Sequence, residues 1–185
     1  MKHRTLGKSP LQVSELCLGT MMFGDQTNID EARRITVHAR EHGVNFIDTA
    51  DVYTLGASET MVGELIRDAR HDWVLATKLA NQIGEGANRG GLSRKWVMQA
   101  AEESLRRLGT DYIDLYQVHA FDPTTPLDET ILALDACVRA GKVRYLGCSN
   151  YSAWQLMKAI ALAKELGAAR FDALQPQYSL VCRTI

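Results

Sequence analysis

The sequence predicts an α/β fold with a parallel sheet, read as βα units of a (β/α)8 barrel behind a short N-terminal β-hairpin. Three observations predict it. Short apolar runs alternate with longer stretches of helical periodicity. The units recur about every 30 residues, so eight would make the ~250 residues of a closed barrel. No glycine-rich GxGxxG turn follows the first strand, which counts against the alternative, a doubly wound open sheet. The nearest candidate, Gly84-Glu85-Gly86, lies in a long loop and has arginine at position 89.

The hairpin comes first. His3-Arg4-Thr5-Leu6 and Leu11-Gln12-Val13-Ser14 read as its strands, turned by Gly7-Lys8-Ser9-Pro10. Gly7-Lys8-Ser9 resembles the end of a phosphate-binding P-loop, but the first glycine of that motif would be residue 2, which is lysine. Residues 16–19 read as a buried strand and 28–43 as a helix, with Thr27 and Asp30 at capping-box spacing and Gly43 after the last turn. The second strand covers 45–48 and the second helix 58–70, with Ser58 as candidate N-cap. The third strand is 73–78, followed by an irregular, glycine-bearing segment, 80–92, read as a mobile loop. The helix at 93–108 carries Val97, Ala101, Ser104, Leu105 and Leu108 on one face and stops at Gly109. The fourth strand is 112–119. A helix over 126–140 has Pro126 at its first position, Asp128 and Glu129 in the first turn and Gly141 after the last. The fifth strand is 143–149, the fifth helix 152–166, and a sixth strand starts at 171–175. Residues 1–185 are thus expected to form one domain, an incomplete barrel without its last two βα units.

Composition narrows the function classes. The chain of 185 residues is 46% apolar and 23% charged, enough for a real core. Lys and Arg number 21 against 22 Asp and Glu, a net charge of −1, which points away from nucleic-acid and membrane surfaces. Met1-Lys2-His3-Arg4 is not followed by an apolar stretch, so no secretory leader is expected, and no apolar run reaches the ~20 residues of a membrane span. Cys17, Cys137, Cys148 and Cys182 are scattered without a CxxC pair and read as reduced thiols of a cytoplasmic protein.

The chemistry gathers at the carboxyl ends of the strands, the face where parallel α/β folds build sites. Those ends supply Thr20, Asp48 with Tyr53 just beyond, Lys78, Gln117 and His119, Ser149 and Asn150, and Gln175. A free phenol, with a pKa near 10, is a poor proton donor at neutral pH, and a neighbouring ammonium stabilises its phenolate. Lys78 can set such a charge beside Tyr53, Asp48 can orient Lys78, and His119 can donate a hydrogen bond to a carbonyl oxygen. A tyrosine acid beside a hydrogen-bond donor suits carbonyl reduction. The hydride must then come from a cofactor, because no side chain supplies one. Taken singly, each residue has an ordinary reading: a turn aspartate, a packing tyrosine, a solvated lysine, a core histidine. Their fall at successive strand ends of one periodic pattern is what favours a site.

Other motifs carry less. His38-Ala39-Arg40-Glu41-His42 matches an HxxEH zinc-protease pattern, but Ile35 and Ala39 make that face a packing surface and no third ligand follows from the spacing. No tyrosine has a lysine four residues later, which excludes the YxxxK reductase pattern.

The segments GVNFIDTADVY (43–53), ASETMVGELI (57–66), VLATKL (74–79), SLRRLGTDYIDLYQVH (104–119), AGKVRYLGCSNYS (140–152) and LQPQYSL (174–180) resemble the aldo-keto reductases. The resemblance is greatest to the bacterial branch that also resembles aryl-alcohol dehydrogenases and potassium-channel β subunits. It implies a (β/α)8 TIM barrel that reduces aldehydes or ketones with NADPH and without metal. The family's tetrad falls on Asp48, Tyr53, Lys78 and His119, and its nicotinamide contacts on Ser149, Asn150 and Gln175, with Thr20 and Met21 near the cofactor and Asp48 among its neighbours. Histidine at 119, where the channel subunits carry asparagine, favours the plain reductase. The segments with which the family grips the pyrophosphate and the 2′-phosphate are not among these 185 residues. The alternative reading is therefore a catalytically inactive reductase-like protein that acts as a binding or regulatory module. Met21, Met22, Phe23 and the 80–92 loop are expected to shape a pocket for aromatic or medium aliphatic aldehydes. Unpaired strands at the two sheet edges would allow a homo-oligomer through edge pairing.

Overall fold

The computed structural model describes residues 1–183. An antiparallel hairpin, β1 (His3–Thr5) and β2 (Gln12–Ser14), precedes six parallel strands. These are β3 (Leu18–Gly19), β4 (Phe46–Asp48), β5 (Val74–Leu79), β6 (Ile113–Val118), β7 (Val143–Ser149) and β8 (Phe171–Gln175). They lie side by side in chain order, as in successive units of a barrel wall. Five helices cross between them: α1 (Ile29–Glu41), α2 (Ala57–Ile66), α3 (Arg94–Leu108), α4 (Leu127–Arg139) and α5 (Ala153–Glu165). Chain-order pairing with a helix at every crossover sets aside the doubly wound alternative, whose strand order reverses.

The sheet is curled into part of a barrel. One contact proves the curl. β4 and β8 stand four strand spacings apart, which would separate them by about 19 Å if the sheet were flat. Yet Gln175 Nε2 of β8 donates to Asp48 Oδ2 of β4 at 3.3 Å. The inner face makes room for this: a Cβ at Gly147 would stand 3.1 Å from Gln117 Cγ, so glycine there lets the Gln117 side chain cross the interior.

The hairpin closes the opposite, amino-terminal end. Ser14 N–H donates to Asn45 Oδ1 at 2.7 Å, and Asn45 Nδ2 donates to the Gln12 carbonyl at 3.1 Å, tying β2 to the start of β4. The hairpin turn reaches the start of β8 as well. Gly7, at φ +58, lies so close to the Asp172 carbonyl that a Cβ would meet its oxygen at 2.0 Å. The glycine of the failed P-loop motif is thus a packing contact.

Helices cover the outer face of the sheet. Every residue of β5 is buried, as expected of a central parallel strand covered on both sides. The expected face of α3 is the buried one: Val97, Ala101, Ser104, Leu105 and Leu108.

Local expectations differ in four places. The first strand was expected to be buried over 16–19, but β3 pairs with β4 through two residues, and Leu16 is 62% exposed, because β3 is an edge strand. α1 is capped by Asn28, whose side chain accepts from Glu31 N–H at 3.0 Å, and not by the Thr27–Asp30 pair. Ser58 is no N-cap: α2 starts at Ala57 behind Gly56 (φ +93), and it ends at Ile66, short of residue 70. Arg67–Asp72 continues as a tighter 3-10 helix, from which Arg70 bonds the Trp73 and Tyr112 carbonyls and the Asp114 carboxylate. Pro126 stands at the N-cap of α4, one position earlier than expected.

Candidate active site

The carboxyl end of the curled sheet holds a closed hydrogen-bond network centred on Lys78. Its side chain is 1% exposed and lies beside the Asp48 carboxylate, 6% exposed. An ammonium has three N–H donors and no acceptor. Here all three are used: on Asp48 Oδ2 at 2.5 Å, on the Thr49 carbonyl at 2.8 Å and on Tyr53 Oη at 3.2 Å. Asp48 is equally committed, its other oxygen accepting from Gln117 Nε2 at 3.0 Å. A buried charge pair survives desolvation only when its remaining hydrogen-bonding capacity is met, and that condition holds here.

Because Lys78 can only donate, the Tyr53 oxygen accepts, and the phenolic proton is free to point away from the pair. Tyr53 sits on a tight turn after β4 in which Thr54 (φ 48) and Leu55 (φ 52) take the left-handed conformation. Such backbone is strained for residues with a Cβ and persists where surrounding contacts impose it. One such contact runs from Thr54 Oγ1 to the Phe23 carbonyl, at 3.3 Å. The ammonium also lies 4.9 Å from the centroid of the Tyr53 ring.

His119 stands against Tyr53 edge-on, with ring centroids 5.8 Å apart. Its backbone is gripped from both neighbouring strands: its N–H donates to the Leu79 carbonyl at 2.8 Å, and its carbonyl accepts from Asn150 Nδ2 at 3.0 Å. Burial, and then the nearby Lys78 charge, pull its pKa down to about 4. The imidazole is therefore neutral at neutral pH. Asp48 of β4, Lys78 of β5, Tyr53 in the turn after β4 and His119 just beyond β6 are brought together at one end of the fold.

The residues singled out for a nicotinamide carboxamide also meet. Ser149 Oγ donates to the Gln175 carbonyl at 2.7 Å, and Asn150 Nδ2 bonds Ser149 Oγ at 3.1 Å. These donors, with Gln175 Nε2 on Asp48, hold the amides in place. Among the described residues, Asn150 Oδ1 and Gln175 Oε1 accept no hydrogen bond. Two open acceptors beside Tyr53 and His119 fit the NH2 of a carboxamide. Thr20 is 1% exposed and its hydroxyl is already bonded to the Asp48 carbonyl and to Ser58. Met21 is 54% exposed and walls a cavity of about 350 Å³ together with Leu18, Met22, Phe23, Asp48 and Tyr53. Phe23 meets that cavity from the core, being only 3% exposed. The 80–92 loop has no regular structure, and Arg89 fastens it by donating to the Ile83 carbonyl at 2.9 Å and to Glu103.

Two contributors were not legible as such. Ser58 donates to the Thr20 carbonyl at 2.8 Å and lies 2.9 Å from Thr49 Oγ1, which locks the ends of β3 and β4 onto α2. Its place at the start of the 58–70 helical pattern makes a cap the simpler reading of the sequence. Asn81 reaches the His119 ring, and the only signal for it was a position three residues beyond Lys78.

The six-strand parallel wall thus gathers an aspartate, a lysine and a tyrosine at its carboxyl end. The aldo/keto reductase family model matches residues 15–185, and the chain belongs to that family. It is 40% identical to an uncharacterized oxidoreductase, YrpG, of Bacillus subtilis, over all of this chain and 60% of that protein. It is 38% identical to a probable voltage-gated potassium channel subunit beta of Arabidopsis thaliana, over 99% of this chain and 57% of that protein. An aldo-keto reductase of Fusarium vanettenii is 35% identical over 98% of this chain and 57% of its own length. The chain thus spans less than two thirds of the length of these relatives. No helix among the described residues is long and apolar enough to cross a membrane.

Proposed function

We propose that this chain carries the carbonyl-reducing site of an NADPH-dependent oxidoreductase that converts aldehydes or ketones to alcohols. The observation that carries this reading is the saturated Lys78 ammonium. Its third proton rests on Tyr53 Oη at 3.2 Å, which leaves the phenolic proton as the one a ligand can receive.

Tyr53 gives its proton to the carbonyl oxygen, and Lys78 stabilises the phenolate that remains. Asp48 keeps Lys78 charged and aimed. His119, neutral, donates a hydrogen bond to the same carbonyl oxygen and so orients it toward Tyr53. Asn150 and Gln175 offer their open oxygens to the carboxamide of the cofactor, and Ser149 fixes the spacing between them. A reduced nicotinamide, when bound, supplies the hydride. NADPH over NADH rests on the family resemblance. The cavity beside Met21 and Met22 favours apolar carbonyl substrates, aromatic or medium aliphatic.

Two relatives bear the name of channel β subunits, so a binding module is the second reading. Histidine at 119, set edge-on against Tyr53, favours the enzyme. The test is NADPH oxidation with an aromatic aldehyde, for the protein and its Tyr53→Phe variant. Turnover should fall at least 100-fold in the variant, with cofactor affinity nearly unchanged. Equal turnover in the two would remove Tyr53 from the mechanism, and no turnover in either, with both folded by circular dichroism, would favour the binding module.

A further inference from the structure

We propose that Asn81 is a positioning residue that sets the tautomer of His119, holding the imidazole proton on Nε2. The inference rests on the reading of His119 as the donor to a carbonyl oxygen and adds what makes it one.

A neutral imidazole carries one proton, and only the nitrogen that carries it can donate. Nothing in the ring itself decides strongly between Nδ1 and Nε2; a partner does. Asn81 Nδ2 lies 3.3 Å from His119 Nδ1. An amide NH2 can only donate, so Nδ1 is the lone-pair nitrogen and Nε2 bears the proton. The ring is neutral because burial and Lys78 oppose its protonation, so the choice between tautomers is a real one at neutral pH.

The backbone around Asn81 is arranged to make this contact. Ala80, between the end of β5 and Asn81, has φ +124, a conformation costly for a residue with a Cβ. The Ala80 carbonyl is held by the Gly91 N–H at 2.7 Å. On the other side, the Leu79 carbonyl and Asn150 hold the His119 backbone. The strained turn and the gripped histidine bring the amide and Nδ1 together from two strands. Asn81 is itself exposed, so its loss opens no cavity.

The test is long-range ¹H–¹⁵N NMR of histidine ring nitrogens in the protein without added ligand. A His119→Gln variant assigns the signal among the five histidines. The wild-type ring should show its proton on Nε2. Asn81→Ala should give a mixture of tautomers. Asn81→Asp, with a carboxylate that accepts from Nδ1–H, should move the proton to Nδ1 and raise the imidazole pKa. In turnover, Asn81→Ala should lower kcat between about two- and tenfold, the population weight of one net hydrogen bond. The melting temperature should hold. A wild-type proton on Nδ1, or one nitrogen pattern shared by all three proteins, would overturn the proposal. The NMR readout needs no turnover, so its outcome is independent of the Tyr53→Phe test.

Discussion

Two aspartates three residues apart, Asp48 at the end of β4 and Asp51 in the turn after it, meet opposite fates. Asp48 points into the curled sheet, where Lys78, Gln117 and Gln175 all donate to its oxygens. Asp51 is fully buried, and among the described residues neither of its oxygens has a partner. It lies on the outer side of the sheet, near Glu59 of α2, which is already engaged by Thr77 and Arg107 at 2.6 Å each. Burial, and then the Glu59 charge, push the Asp51 carboxyl up to about 7, with Arg107 offsetting part of this. The Tyr116 hydroxyl nearby is likewise without a partner. The same side chain is saturated with donors on one face and left as a carboxyl that titrates near neutrality on the other. What separates them is the partner each face supplies.

The comparison can be broken most severely at Asp48. Asp48→Ala leaves the Lys78 ammonium buried without its counter-charge, and should cost about 3–5 kcal/mol in urea denaturation. Adding Lys78→Met should recover most of the loss, because the buried charge is then gone as well. If the single variant were as stable as the wild type, the network would not be the buried ion pair described above.

At Asp51 the sign reverses. Its folded pKa lies above the unfolded value, so the full stability is present below about pH 4 and is lost as pH rises through about 7. Asp51→Asn removes the ionisation. It should stabilise the protein by about 1–3 kcal/mol at pH 8 and have little effect at pH 4. A pH-independent difference between the two proteins would show that ionisation of Asp51 is not the cause.

The smallest effect is expected at His119. Its folded pKa, about 4, lies below the ordinary value of 6.5. The unfolded chain therefore binds a proton that the folded one refuses, and stability falls as pH drops from about 6.5 to 4. His119→Gln should flatten that slope by no more than about 1 kcal/mol, since the residue is only partly buried and solvent screens it. Melting curves across this range, at constant ionic strength, would show it.

Much of this was legible in the chain because periodicity carries it. Strand ends are found wherever an apolar run stops, so Asp48, Lys78, His119, Ser149 and Gln175 could be placed at one end before any contact was known. Ser58 and Asn81 could not, because each acts on a residue more than 30 positions away in sequence, or on another strand altogether. The lone burial of Asp51 is illegible for the opposite reason. A polar residue beside a strand end is expected to find a partner, and only the packing of α2 and α3 shows that this one does not.

The sequence by itself determined the order of strands and helices, the parallel sheet and the set of side chains at its carboxyl end. Those follow from local hydrophobic period and from the chirality of βα crossovers, which need no long-range information. Tertiary structure alone decided how far the sheet curls and which side chains meet across it. It also decided whether a given carboxyl faces an ammonium or another carboxylate. Those outcomes depend on distances between residues as far apart as Asp48 and Gln175, and such distances are set only once the sheet has curled.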